Sequence, residues 1–146
     1  MNESLTTLID SHRILVVGDI MLDRYWSGSV TRISPEAPVP VVSVDSVTEC
    51  VGGAGNVAAN IRSIGAQCCL LSVVGDDASG RLLNSLLAES GVDRHLHINT
   101  ENRTTEKLRV VSQNQQLIRV DFEGAPSVSL SERVLDDYER LLAGVS

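Results

Sequence analysis

Two apolar runs, Ile14-Leu15-Val16-Val17 and Cys68-Cys69-Leu70-Leu71-Ser72-Val73-Val74, each lead into a Gly-Asp pair, Gly18-Asp19 and Gly75-Asp76. That repetition restricts the fold more than any other feature of the chain. Runs this short and this apolar read as strands buried on both faces, the habit of parallel sheets. Parallel neighbours need a crossover of about a dozen residues or more, and helical segments supply it. Val57, Ala58, Ile61 and Ile64 recur at helical spacing, and Gly65 stands where a C-terminal cap belongs. Residues 77–90 place Leu82, Leu83, Leu86 and Leu87 on one side and close at Gly91. Asp76-Asp77 start that helix, where carboxylates suit the positive end of the dipole. Val92 to Ile98 reads as a third strand. Strand, helix, strand, helix, strand predicts an α/β fold with a parallel sheet and flanking helices.

Two stretches interrupt the pattern. Residues 24–50 show no helical period and carry prolines at 35, 38 and 40 beside the apolar segment Val39 to Val44, so extended, edge-type strands are expected. Residues 104–112 and 116–123 are β-rich around Gln113-Asn114-Gln115, which predicts a hairpin. Residues 130–143 return to helix, with Val134, Leu135, Tyr138, Leu141 and Leu142 on one face. At 146 residues the chain is one domain's worth of sequence. With one Trp, one Phe and two Tyr, its core rests on Val, Leu, Ile and Ala.

The net charge of −7 argues against general binding to nucleic acid or to anionic membrane surfaces. Lys107 is the only lysine, and it falls with Arg103, Arg109 and Arg119 in one short segment. That cluster either serves a small anionic ligand or guards a solvated strand edge. The cysteines, Cys50, Cys68 and Cys69, are odd in number and lack metal-ligand spacing, so reduced thiols in a core are expected, with no metal site. His12, His95 and His97 show no partner at metal or nucleophile spacing. The polar N-terminus lacks a signal-peptide pattern, and the apolar runs are too short to span a bilayer. A cytoplasmic location is the expectation.

The stretch Val51-Gly52-Gly53-Ala54-Gly55-Asn56-Val57-Ala58-Ala59-Asn60 carries the chemistry. Gly53, Gly55 and Ala58 formally meet a dinucleotide fingerprint, but that motif follows the first strand directly, and here a long β-rich excursion intervenes. No phosphate-binding loop ending in Gly-Lys exists, since the lone lysine is at 107. A second reading is a tight turn with close helix–sheet packing. The third reading pairs the glycines, which let backbone approach a ligand, with Asn56, which offers a donor and an acceptor. Asp19 and Asp23 add carboxylate acceptors for hydroxyls. Together these residues suit a polyol better than a phosphate. Asn56 also suits a simple helix cap, Asp19 and Asp23 suit capping of the loop after the first strand, and Gly52 and Gly53 suit turn geometry alone.

The run Gly52 to Ala58, followed by Gly65 and Gly75, resembles the N-terminal signature of the ribokinase and phosphofructokinase-B family of sugar kinases. Gly18 to Asp23 is similar to that family's first-strand motif, whose last Asp binds sugar. The segments GDIMLDRYWSG, TRISPEAPVPV and TTEKLRVVSQNQQLIRVDFE resemble, within the family, the heptose-phosphate kinases found as the kinase half of bifunctional heptose-phosphate kinase/ADP-heptose synthases. The resemblance covers nearly the whole chain. It implies a ribokinase-like fold with a small β-sheet lid from about 24–50 and 104–123. It also implies ATP-dependent, Mg2+-assisted phosphorylation of D-glycero-D-manno-heptose 7-phosphate at the anomeric oxygen, on the route to ADP-heptose and the lipopolysaccharide core. The glycine motif then grips sugar, while ATP sits against a C-terminal half.

The residues expected to hold substrate are Asp19, Asp23, Gly52, Gly53 and Asn56. Lys107, Arg109 and Arg119 are candidates for the 7-phosphate, and Asp121 or Glu123 for the sugar. Positions 107 and 109 share a strand face. The family's second signature, a Gly-Ala-Gly-Asp anion hole with its base, has no counterpart after Glu123. The expectation is therefore an N-terminal portion of a kinase, with no catalytic base in these residues and an unpaired sheet edge. The alternatives are a non-catalytic sugar-phosphate-binding or dimerisation fragment, or a family kinase for another sugar. Apolar strand surface at Val39, Val41, Val42 and Val44 needs cover, so a homodimer through the lid is expected.

Overall fold

The computed structural model describes residues 12–124 and 128–143. Its first sheet is parallel and three-stranded, in the order β1 (Arg13–Val17), β4 (Gln67–Gly75), β5 (Asp93–Asn99). Helix α1 (Ala54–Ser63) leads into β4, and α2 (Ala78–Glu89) joins β4 to β5. Cys68, Leu70 and Val74 of β4 meet Ala58 of α1 and Leu83 and Leu87 of α2 in one buried cluster, extended by Ile20, Leu22 and Val92. The opposite face carries α3 (Val128–Leu142), which touches all three strands and buries Leu130. His97 of β5 bonds Asp137 of α3 at 2.9 Å, so this histidine is a packing contact. Gly65 and Gly91 follow α1 and α2 with left-handed φ of 98° and 70°, as a C-terminal glycine cap requires.

The interrupting stretches form a second, four-stranded sheet in the order β3, β2, β6, β7. β2 (Ile20–Ile33) and β3 (Pro40–Gly53) are fourteen residues each and antiparallel. This hairpin is longer at both ends than the expected 24–50. Its base begins directly after Asp19 because Ile20 and Leu22 are needed in the main core. β6 (Glu106–Ser112) runs parallel to β2, and β7 (Gln115–Phe122) pairs antiparallel with β6. Gln113 and Asn114 turn the second hairpin with φ of 50° and 63°, the left-handed pair of a type I′ turn.

Period-two alternation divides the second sheet into unlike faces. One face carries Asp23, Tyr25, Lys107, Arg109, Arg119 and Asp121. The other carries Leu22, Trp26, Val47, Leu108, Val110 and Ile118. Near the α/β layer this apolar face is buried, while Trp26, Val44, Val47 and Ile118 further out are exposed. Val39 is exposed as expected, and Val41 and Val42 are half-buried by the strand pairing. Among the described residues, no helix is long and apolar enough to cross a membrane.

Candidate functional site

Asp19, Asp23, Gly52 and Gly53 meet because the ends of β2 and β3 pair, Ile20 with Gly53 and Met21 with Gly52. A Cβ on Gly52 would overlap the Asp23 carboxylate and come within 2.8 Å of the Met21 Cγ. Glycine there is what gives the Asp23 side chain its place. Gly53 has φ of 60°, a left-handed value that suits glycine, and a Cβ on it would overlap the Asp19 carbonyl. That carbonyl accepts from the first helical N–H of α1, Ala54 N, at 2.9 Å. The Ser72 hydroxyl, from a nearly buried residue of β4, donates to the Gly18 carbonyl at 2.6 Å and accepts from Ile20 N at 3.3 Å, fixing the same turn. Gly52→Ala is expected to lower stability by about 1–3 kcal/mol through this overlap. Urea unfolding checks it, and a variant as stable as the wild type would show that Asp23 does not lie over Gly52.

Asn56 corrects one expectation. The helix begins at Ala54 with Gly53 at its N-cap position, so Asn56 is the third helical residue and caps nothing. It is exposed, and its Oδ1 accepts from Asn60 Nδ2 at 3.4 Å.

Lys107, Arg109 and Arg119 do gather on one face of the sheet, each already with a carboxylate, whereas Arg103 lies 4.2 Å from the Phe122 ring centroid. Lys107 Nζ donates to Glu123 at 2.7 Å and to Asp121 at 3.3 Å. Arg119 meets Asp121 at 3.0 Å. The Arg109 guanidinium bonds the Asp23 carboxylate and lies 5.2 Å from the Tyr25 ring centroid. The bond to Asp23 raises the Arg109 guanidinium further above its already high range, and the bonds to Glu123 and Asp121 raise Lys107. Asp121 is held below the usual carboxylate range: partial desolvation acts upward, and Lys107 and Arg119 outweigh it.

A cleft of about 500 Å³ opens between this charged face and the carboxyl ends of β4 and β5. Asp19, Met21, Gly75, Asn99, Arg103 and Glu123 are among its lining residues. Ligands in open α/β sheets collect outside the carboxyl ends of strands. Asp19 lines this cleft directly. Asp23, Lys107 and Arg109 lie further along the same face of the sheet, and Lys107 reaches the Glu123 at the cleft wall. Asn56 does not line it.

Two supporting networks are absent from the residue pattern. Asp77 caps α2 by accepting from Gly80 N at 2.8 Å, and it also accepts from Thr104 N at 2.8 Å and Thr104 Oγ1 at 2.7 Å. Gly75 N in turn donates to Thr104 Oγ1 at 2.9 Å. These bonds tie the cleft's floor to the start of β6. Burial acts to raise the Asp77 carboxyl, and the bonds from Thr104 and Gly80 outweigh it and hold it below the usual range. Glu106, 5% exposed, accepts from Arg24 at 2.7 Å and from Ser79 of α2 at 2.8 Å. Arg24 also bonds Glu49 at 2.7 Å. The second sheet is thereby held at a set angle to the first. Asp77 lies 27 residues from Thr104 and Arg24 lies 82 from Glu106, so only the strand order brings these groups together.

Cysteine and histidine positions also differ from expectation. Cys68 and Cys69 are buried free thiols, whereas Cys50 is exposed beside Asp23 on the charged face. Burial, then the Asp23 carboxylate, pushes the Cys50 thiol up, which lowers its reactivity. Strand pairing brings Cys69, Asp93 and His95 within 4.8 Å at the far end of the first sheet, a metal-ligand grouping that linear spacing conceals. Arg13 bonds Asp93 there, so a cationic group of the protein already answers the cluster's charge.

Residues 11–141 match the pfkB family of carbohydrate kinases. The chain is 48% identical over 143 residues to a D-beta-D-heptose 7-phosphate kinase of Bordetella bronchiseptica, covering 98% of this chain and 46% of that one. It is 47% identical over 137 residues to the bifunctional protein HldE of Coxiella burnetii, covering 94% of this chain and 29% of that one. The chain thus spans less than half the length of these relatives. Among solved structures, a carbohydrate kinase from Agrobacterium tumefaciens superposes with a TM-score of 0.64 at 22% identity, over 75% of this chain and 35% of that one, which bears out the ribokinase-like α/β fold. Fold, glycine turn and sequence agree: the chain belongs to the pfkB family of carbohydrate kinases.

Proposed function

We propose that this chain carries the sugar-binding half of a kinase that phosphorylates D-glycero-D-manno-heptose 7-phosphate at its anomeric oxygen, in the formation of ADP-heptose for lipopolysaccharide. The observation that carries the reading is the junction of Asp23 with the Gly52-Gly53 turn, on a face shared with Lys107 and Arg109. Carboxylate acceptors and cations side by side suit a ligand with hydroxyls at one end and a dianion at the other. Asp19 and Asp23 take hydroxyls, Lys107 and Arg109 take the 7-phosphate, and Arg119 and Asp121 order Lys107. Asn56, exposed on the first turn of α1, reaches the sugar only from the rim.

ATP with Mg2+ is the phosphoryl donor implied by the family. The glycine turn here does not fit a triphosphate, because its nearest neighbours are the Asp19 carbonyl and the Asp23 carboxylate, both repelled by phosphate oxygens. No transfer step is therefore assigned to these residues, whose work is to bind and orient the sugar. Transfer depends on positioning and on stabilising charge at the moving group, and the donor's site falls to the part of the relatives outside this match. The enzyme works in the cytoplasm, where ATP is supplied.

Titration calorimetry of the chain with D-glycero-D-manno-heptose 7-phosphate, and separately with ATP, tests the reading. Saturable one-to-one binding of the sugar phosphate is expected. Binding of ATP with none of the sugar phosphate would contradict it.

The outer apolar face of the second sheet supports a homodimer. Among the described residues nothing covers Trp26, Val44, Val47 and Ile118, which are exposed there, a patch of the kind that marks an interface. Light scattering at about 10 μM is expected to give a dimer mass, and Val47→Lys to give a monomer. A wild-type monomer across a concentration series would contradict the dimer.

A further inference from the structure

Among the described residues, each end of the proposed ligand has its binding group already engaged by the other. Asp23, assigned to hydroxyls, bonds Arg109, assigned to phosphate. Their side chains are only 17% and 19% exposed, so neither is freely hydrated once parted. Asp23 sits with Gly52 beneath its carboxylate and Lys107 as its neighbour across the β2–β6 ladder. The Arg109 guanidinium, while paired with Asp23, already lies 5.2 Å from the Tyr25 ring centroid.

We propose that the Asp23–Arg109 pair is a specificity lock that a phosphorylated sugar opens and an unphosphorylated sugar does not. This rests on the sugar-phosphate reading above. A phosphate dianion replaces the carboxylate on Arg109 with bonds of the same charge-assisted kind. Asp23 is thereby released to accept hydroxyls from the same molecule. Charge is conserved in the exchange: one ion pair is traded for another, and the carboxylate gains neutral donors. A sugar without phosphate offers Asp23 its hydroxyls but leaves Arg109 without a partner in a half-desolvated place. Discrimination then exceeds what the phosphate contact alone supplies. Arg109 is a specificity-determining residue twice over, as ligand to one substrate and as obstacle to the other.

The test is titration of the full chain and of Arg109→Gln with D-glycero-D-manno-heptose 7-phosphate and with unphosphorylated D-glycero-D-manno-heptose. Removing the guanidinium charge should weaken the phosphorylated sugar by about tenfold or more. The lock requires, in addition, that Arg109→Gln tighten the unphosphorylated sugar, by about threefold or more if the pair is worth what partly buried pairs usually are. Arg109→Lys keeps the charge but not the fork, and it should move both affinities in the same directions by less. It also carries the test if Arg109→Gln loses its thermal transition. Unchanged affinity for the unphosphorylated sugar would overturn the lock in favour of a plain phosphate contact. Lowered affinity would overturn it in favour of Arg109 holding Asp23 in place. A wild-type chain that binds neither sugar would overturn the sugar-site reading and the lock with it, whereas a chain that binds and gives the wrong variant response overturns the lock alone.

Discussion

Asp23→Ala is expected to weaken binding of D-glycero-D-manno-heptose 7-phosphate by at least about tenfold, while leaving the fold intact. A carboxylate that accepts two hydroxyls makes charge-assisted bonds worth about 1.5–3 kcal/mol each. Loss of the carboxylate also frees Arg109, which strengthens its hold on phosphate. A partly exposed ion pair contributes about 1 kcal/mol at most, so the release offsets only part of the loss. The balance remains at or above the 1.4 kcal/mol or so that makes one decade in affinity. Calorimetric titration reads the change, and near-ultraviolet dichroism checks the fold. Equal affinity in wild type and variant would remove Asp23 from the site. In a longer polypeptide that turns over, the same loss should fall on kcat/KM and leave ATP affinity unaltered.

Asp77→Ala is expected to destabilise the chain by about 3 kcal/mol. A lost N-cap costs about 0.5–2 kcal/mol, and here the same carboxylate also holds both Thr104 N and Thr104 Oγ1. Thr104 is 2% exposed, so its N–H would be left unpaired away from water, at about 1–3 kcal/mol. The pH dependence follows from the depressed carboxyl. A carboxylate held below its unfolded value contributes stability that is fully present above that value, near 3.9, and is lost as pH falls through the folded one. Wild-type stability should therefore fall in acid below about pH 4 more steeply than that of Asp77→Ala. Urea unfolding at pH 3 and pH 7 measures both. A stability gap between the two proteins that stayed constant across that range would show that the ionised Asp77 is not what joins α2 to β6.

The parallel sheet was legible in the sequence because its strands are continuous apolar runs ending in Gly-Asp, and because Gly65 and Gly91 close the intervening helices. The glycine turn and its two aspartates were legible because a close approach of backbone to side chain leaves only glycine at Gly52. Partnership was not legible. Lys107 and Arg109 are two apart and share a face, as expected, yet their availability depends on Asp121, Glu123 and Asp23 across two strand pairings. Asn56 was misplaced by nearly one helical turn, since the Asp19 carbonyl and Gly53 start α1 earlier than a side-chain cap would. Arg24, Glu49, Glu106 and Ser79 gave no signal at all. They are far apart in sequence and joined only where β2, β3, β6 and α2 converge.

The most direct test of the central claim is an amide NMR titration of the chain with D-glycero-D-manno-heptose 7-phosphate. Saturable shifts are expected at Asp19 to Asp23, Gly52 to Ala54 and Lys107 to Arg109, with Gly65, Gly91 and Asp93 at the far end of the sheet unmoved. The account would be contradicted if saturating sugar phosphate moved only those far-end amides, or if ATP rather than the sugar shifted the Gly52-Gly53 turn.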